Sequence, residues 1–227
     1  MKFIKRYINR IQVPITRICN RQCPHCCARE TLTWYNKSIT EKEVTLEELI
    51  WAGKLIGKID QIEITGGEPT LHSKFEEISN NLSNIFQCND FMLVSNGWLF
   101  KDPYKLPLLL NYQRVWITHY TEEFVKKYGG VINTREFNLV ANFLKQYPNI
   151  HFIPVHTFEH KAFLDPPYKG NPCGHHLYMP AYYEKYLYGC CVAWSLPYRG
   201  KGIPLTEDWR DHLEEIDIPC DQCFLSI

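Results

Sequence analysis

The stretch Gln61-Ile62-Glu63-Ile64-Thr65-Gly66-Gly67-Glu68-Pro69 reads as a short buried strand running straight into a glycine turn. Two adjacent glycines let a backbone approach a ligand closely, although such a run is also an ordinary turn after a strand. Its meaning comes from a second stretch upstream, Cys19-Asn20-Arg21-Gln22-Cys23-Pro24-His25-Cys26, a CxxxCxxC triplet. Three thiolates are one ligand short of closing a four-iron cluster: a cube with four is an electron carrier, and a cube with three keeps one iron open for a substrate or cofactor. Taken alone, Cys19, Cys23 and Cys26 with His25 would equally suit a structural zinc site. The glycine run follows the triplet by about 40 residues, with a helix and a strand between them as a βαβ unit demands.

The surrounding pattern alternates strands and helices. Arg10 to Thr16 reads as a strand leading into the cysteine loop, and Thr45-Leu46-Glu47-Glu48 as a capping box that opens a helix through about Ile56. Phe75, Ile78, Leu82 and Ile85 fall on one helical face. Short apolar strands follow at Phe91 to Ser95, Val115 to Thr118 and His151 to Val155, with a helix near Thr134 to Gln146 that ends before Pro148. This alternation predicts an α/β fold, a parallel sheet of five or six strands curled into a partial (β/α) barrel with function at the carboxyl ends of its strands. Both the cysteine loop and the glycine turn belong at that end. The run Asp165-Pro166-Pro167-Tyr168-Lys169-Gly170-Asn171-Pro172 breaks the periodicity, and the core is expected to span residues 1–157 with a Cys-rich appendage at 158–227.

The 227 residues are enough for one sizeable core, and 25 basic residues balance 25 acidic ones. No global field favours nucleic acid or a membrane surface. Ten cysteines without a signal peptide or an apolar run long enough to span a bilayer point to a reducing cytoplasm, where thiols bind metal rather than pair. Cys27 and Cys88 read as small buried side chains.

At Cys19, Cys23, Cys26, His25 and the Gly66-Gly67-Glu68-Pro69 segment the chain resembles the radical S-adenosylmethionine (SAM) enzymes, over roughly residues 10 to 157. The resemblance implies that the open iron of a [4Fe-4S] cluster is chelated by the amino and carboxylate groups of SAM, with the glycine segment near the amino group. It implies further SAM contacts at Ser95 and Asn96 against the ribose, at Thr118, and along Ile153 to Val155 near the adenine. It also implies a flavodoxin- or ferredoxin-type reductant, a small-molecule substrate, and cleavage of SAM to a 5′-deoxyadenosyl radical that abstracts hydrogen from a C–H bond. Neither His119 nor His156 is assigned a catalytic role; both read as polar residues of the barrel mouth. A valine at Gly66 or Gly67 is expected to crowd SAM while leaving the cluster assembled.

The tail holds Cys173, the adjacent Cys190 and Cys191, and the pair Cys220 and Cys223. Cys173, Cys190, Cys220 and Cys223 together could close a second [4Fe-4S] cluster, and zinc would suit the same set. The arrangement resembles the shortened auxiliary-cluster region, called a twitch domain, of radical SAM aminocyclitol dehydrogenases, and in longer form the SPASM region of peptide-modifying enzymes. That resemblance implies two-electron oxidation of a small hydroxylated compound such as an aminosugar or cyclitol; peptide modification and a non-catalytic metal scaffold are the alternatives. The tail aromatics, including His175, His176, Tyr178, Tyr182 and Tyr183, are read as packing before recognition.

Overall fold

The computed structural model describes residues 8–21, 33–34, 43–120, 134–154, 180–189 and 202–216. Ten strands are present among them: β1 (Arg10–Thr16), β2 (Ile18–Cys19), β3 (Thr33–Trp34), β4 (Gln61–Gly66), β5 (Asp90–Ser95), β6 (Arg114–His119), β7 (Ile150–Pro154), β8 (Ala181–Tyr183), β9 (Tyr186–Tyr188) and β10 (Ile203–Pro204). The helices are α1 (Leu46–Ile56), α2 (Phe75–Asn80), α3 (Leu82–Ile85) and α4 (Thr134–Leu144). Eight strands form one sheet in the order β10-β9-β8-β1-β4-β5-β6-β7, and β2 pairs with β3 beside it. From β8 through β7 every pairing is parallel, while β8, β9 and β10 meander antiparallel at the edge. This mostly parallel α/β sheet is the predicted architecture. All five sequence-read strands are in it, and the sixth parallel member is β8, on the far side of β1.

Strand alternation explains which residues are buried where. Ile11, Val13, Ile15, Ile62, Ile64, Leu93 and Val115 occupy one face and are inaccessible to solvent, packing with Leu49, Ala52 and Ile56 of α1 in a single core. The opposite face is polar: Gln12 Nε2 donates to Glu63 Oε1 at 2.6 Å, Gln61 reaches the Met92 sulfur, and Arg114 pairs with Asp90. The central strands β1, β4 and β5 therefore carry an apolar row toward α1 and a largely polar row on the opposite face.

The start of α1 follows its capping chemistry with one difference. Thr45 Oγ1 accepts the Glu48 amide at 3.1 Å as the N-cap of α1, but the Glu48 carboxylate accepts the Tyr182 hydroxyl at 2.8 Å and so ties α1 to β8. The apolar face over Phe75, Ile78, Leu82 and Ile85 is buried as expected, yet Asn81 leaves helical geometry and divides the segment into α2 and α3. The tail is bound to the same core. Trp209 is fully buried with its indole N–H on the Leu55 carbonyl at 3.1 Å, Arg17 stacks on Tyr183 at 4.7 Å, and Tyr182 and Tyr183 are buried. These two aromatics pack, as read. The predicted boundary near residue 158 lies outside the described residues.

The turn after β4 is fixed by His72, whose Nε2 donates to the Val44 carbonyl at 3.0 Å while Nδ1 accepts the Lys74 amide at 2.9 Å. Both bonds suit the neutral ring, and burial holds its pKa below the ordinary 6.5 against the pull of Glu43. A lowered folded-state pKa contributes stability that is present above 6.5 and lost as pH falls through the folded value. Urea denaturation should therefore give a free energy that drops on acidification below 6.5, by at most about 1.4 kcal/mol per pH unit for this proton. His72→Gln should flatten that dependence; a variant with the parent slope would remove His72 from it.

Candidate active site at the carboxyl ends of the strands

The turn that follows β4 lies against the chain that leads into the first cysteine. Gly67 N–H donates to the Thr16 carbonyl and Glu68 N–H to the Ile18 carbonyl, each at 2.7 Å. This contact accounts for both glycines. Gly66 has φ +146°, and a Cβ there would lie 2.4 Å from the Thr16 oxygen. A Cβ on Gly67 would lie 2.3 Å from the Ile18 oxygen and 2.9 Å from that of Arg17. What crowds these positions is the backbone just before Cys19, so the expectation that substitution would spare the cluster is revised.

Glu68 is completely buried and braces the turn from within. Its Oε1 accepts the Thr70 hydroxyl at 2.6 Å, the Ser95 hydroxyl at 2.8 Å and the Thr70 amide at 3.2 Å, and its Oε2 accepts the Asn96 amide at 2.6 Å. Burial pushes its pKa above the usual carboxylate range, and the four donated bonds pull against that rise. The side chain thus joins the end of β4 to the end of β5. Pro69 opens the tight turn Pro69–Leu71 that Glu68 caps.

Asn96 completes the connection to the cysteine loop. Its Nδ2 donates to Asn20 Oδ1 at 2.8 Å and lies 3.9 Å from Cys19 Sγ, while its Oδ1 accepts the Trp98 amide at 3.1 Å. Ser95 Oγ also accepts the Gly97 amide at 3.0 Å. The polar atoms of Ser95 and Asn96 are therefore engaged with the chain itself. Thr118 and Ile153 are paired neighbours on β6 and β7 at the same end of the sheet. His25, Cys23, Cys26, Val155, Cys173, Cys190, Cys191, Cys220 and Cys223 lie outside the described residues.

Cys19 is buried, and its sulfur receives the Arg21 amide at 3.5 Å in addition to Asn96. Two N–H donors facing one sulfur suit a thiolate ligand, so the described member of the triplet has the surroundings an iron-sulfur cluster requires. Cys88, read from the sequence as buried, is half-buried with its sulfur on the Asp60 and Asp90 carbonyls, and burial raises its pKa, which suits an inert thiol. Reading the sequence did not single out Arg21 or Tyr120. Their signal was available only in space, as the Arg21 guanidinium lies 3.8 Å from the Tyr120 ring centroid just past β6.

Comparison with known proteins agrees with this geometry. The radical SAM superfamily profile matches residues 13–160, and the chain belongs to that superfamily. It is 35% identical over 97 residues to the GTP 3',8-cyclase of Alkaliphilus oremlandii, an alignment covering 41% of this chain and 29% of that protein. It is 29% identical over 152 residues to the probable GTP 3',8-cyclase of Saccharolobus islandicus, covering 66% of this chain and 47% of that one. The chain thus spans less than half the length of these relatives. The crystal structure of BtrN in complex with AdoMet and 2-DOIA superposes with TM-score 0.61 at 15% identity, covering 93% of this chain and 89% of that one. No helix among the described residues is long and apolar enough to cross a membrane.

Gly67→Ala is expected to lower bound iron and SAM affinity together after anaerobic reconstitution, with a stability loss of about 1–3 kcal/mol from overpacking. Iron content beside a SAM titration tests this; full iron with weakened SAM binding alone would restore a direct ligand contact. Glu68→Gln, which replaces one of the two acceptor oxygens by an NH2 facing either the Asn96 amide or the Thr70 and Ser95 donors, should cost about 1–3 kcal/mol in urea denaturation.

Proposed function

We propose that the chain binds a [4Fe-4S] cluster at Cys19, Cys23 and Cys26, with SAM in the mouth formed by Gly66, Gly67, Glu68, Pro69, Ser95, Asn96, Thr118, Ile153 and Val155, and oxidises a small hydroxylated substrate by two electrons. The observation that carries the reading is the pair of backbone bonds locking the glycine turn to the cysteine strand, with the Cys19 sulfur facing N–H donors. When bound, cluster and SAM supply a reductively generated radical able to take a hydrogen atom from a C–H bond, fed by a flavodoxin- or ferredoxin-type reductant. The chain's own work is to hold and exclude. The Glu68 network fixes the ends of β4 and β5 in advance of binding, and the apolar row of the sheet keeps the floor of the mouth rigid.

Net oxidation requires the substrate carbon to give up a hydrogen atom, then a second electron and the hydroxyl proton, leaving a carbonyl. Cys173, Cys190, Cys220 and Cys223 would hold the acceptor of that electron, a second [4Fe-4S] cluster or, if the site takes zinc, none. Support comes from the nearly end-to-end likeness to BtrN, a protein seen with AdoMet and the small molecule 2-DOIA. The identity shared with GTP 3',8-cyclases favours a second reading, in which the substrate is a purine nucleotide. A peptide substrate and a non-catalytic scaffold remain as outcomes of the assay.

Reconstituted protein under dithionite should convert SAM to 5′-deoxyadenosine and methionine, and Cys23→Ala should abolish the conversion. About eight irons per chain are expected, with about half retained when all three front cysteines become alanine. Zinc without iron in that triple variant would sink the dehydrogenase reading while leaving the front site intact. Absence of SAM cleavage by the parent protein would sink the enzyme reading itself.

A further inference from the structure

Arg21 stands between Cys19 and Cys23 in sequence and is only 3% exposed, yet among the described residues its guanidinium Nε and Nη1 have no hydrogen-bond partner. Isolating an arginine charge from water without a counter-ion is unfavourable, and arginine cannot lose its proton to escape that cost. The Tyr120 ring covers one face of the guanidinium at 3.8 Å from its centroid. Stacking of this kind uses the face and leaves the N–H groups, which lie in the guanidinium plane, to donate sideways. Arg21 follows β2 and Tyr120 follows β6, so these donors lie at the carboxyl ends of the strands. A planar fork of this type matches a carboxylate or phosphate with paired, charge-assisted bonds.

We propose that Arg21, oriented by Tyr120, binds an oxyanion of the second substrate, so that the substrate is a phosphate- or carboxylate-bearing small molecule. This rests on the reading of the mouth as a radical SAM site. SAM does not supply the anion in this proposal: its carboxylate and amine are expected on the open iron, and the sulfonium makes the remainder of that molecule cationic. A guanidinium next to SAM is better matched by an anion brought separately. The neighbouring polar groups do not compete for it, because Asn96 is bound to Asn20 and Trp98, and Glu68 to Thr70, Ser95 and Asn96.

The test uses inorganic pyrophosphate as the probe, titrated into anaerobically reconstituted protein saturated with SAM and followed by calorimetry. The parent should bind pyrophosphate, and Arg21→Gln should weaken that binding by about tenfold to a hundredfold, the loss expected for a charge-assisted bond. Arg21→Lys should retain part of the affinity. SAM affinity and iron content should stay within twofold of the parent. Absence of pyrophosphate binding by the parent, or equal binding by Arg21→Gln, overturns the proposal. So does weakened SAM binding with unchanged pyrophosphate binding, which would assign the guanidinium to the SAM carboxylate. If Arg21→Gln fails to hold iron, Tyr120→Leu decides: an iron-loaded variant with severalfold weaker pyrophosphate binding supports the proposal, and parental affinity overturns it. SAM cleavage by the parent is measured in parallel, so a failed superfamily-level activity is distinguished from a failed anion site.

Discussion

The contact on which the site depends is a backbone contact, made where the Gly66-Gly67-Glu68 turn meets the chain just before Cys19. Two amide bonds and two glycines without side chains bring these segments within 2.7 Å. Approach this close is incompatible with any Cβ at either position, since the nearest atoms are carbonyl oxygens of a strand that cannot yield without moving the cysteine. The buried Glu68 then extends the connection sideways to β5, and Asn96 returns it to the cysteine loop. Turn, strand end and cysteine loop form one closed circuit of hydrogen bonds. A carboxylate inside it is tolerated because four donors converge on it.

Much of the fold could be read from the chain because its strands are short, apolar and separated by helical periodicity. Ile62 and Ile64, or Val115 and Ile117, announce buried strands whichever way they pair. Parallel order follows from the intervening helices, as the rule for βαβ connections requires. Pairing between distant segments was not readable. Nothing in Ala181-Tyr182-Tyr183 says that it lies beside Gln12, or that Glu48 turns from its own N-cap to the Tyr182 hydroxyl. The division of α2 from α3 at Asn81 was also hidden, because the apolar face continues across the break.

Part of the candidate site follows from local pattern and part from contacts between distant segments. Cysteine spacing and the glycine run carry the resemblance to the superfamily, since both are local. The purpose of Gly66 and Gly67 depends on a neighbour about 50 residues earlier in the chain, which no local pattern reveals. The partners of Ser95 and Asn96 are equally hidden, because a polar pair at a strand end looks the same in sequence whatever it faces, and here it engages Glu68 and the cysteine loop. Arg21 was passed over because a basic residue in a loop is ordinarily solvated, and only burial beside Tyr120 makes it exceptional.

The position of β8 has a consequence for how the chain reaches this state. The strand feeding the cysteine loop, β1, is interior, held by β4 on one side and by β8 on the other through the pairing of Gln12 with Ala181. During synthesis β4 appears early, but β8 follows only after most of the chain has emerged. Until then β1 presents an open edge with unpaired amides and carbonyls, a template for addition of a strand from another molecule. Pairing over so long a stretch is also slow, because loop closure precedes any compensating contact. The strand that leads to the first cysteine is thus enclosed on its second side only late, and until then its open edge stands next to the cysteine loop.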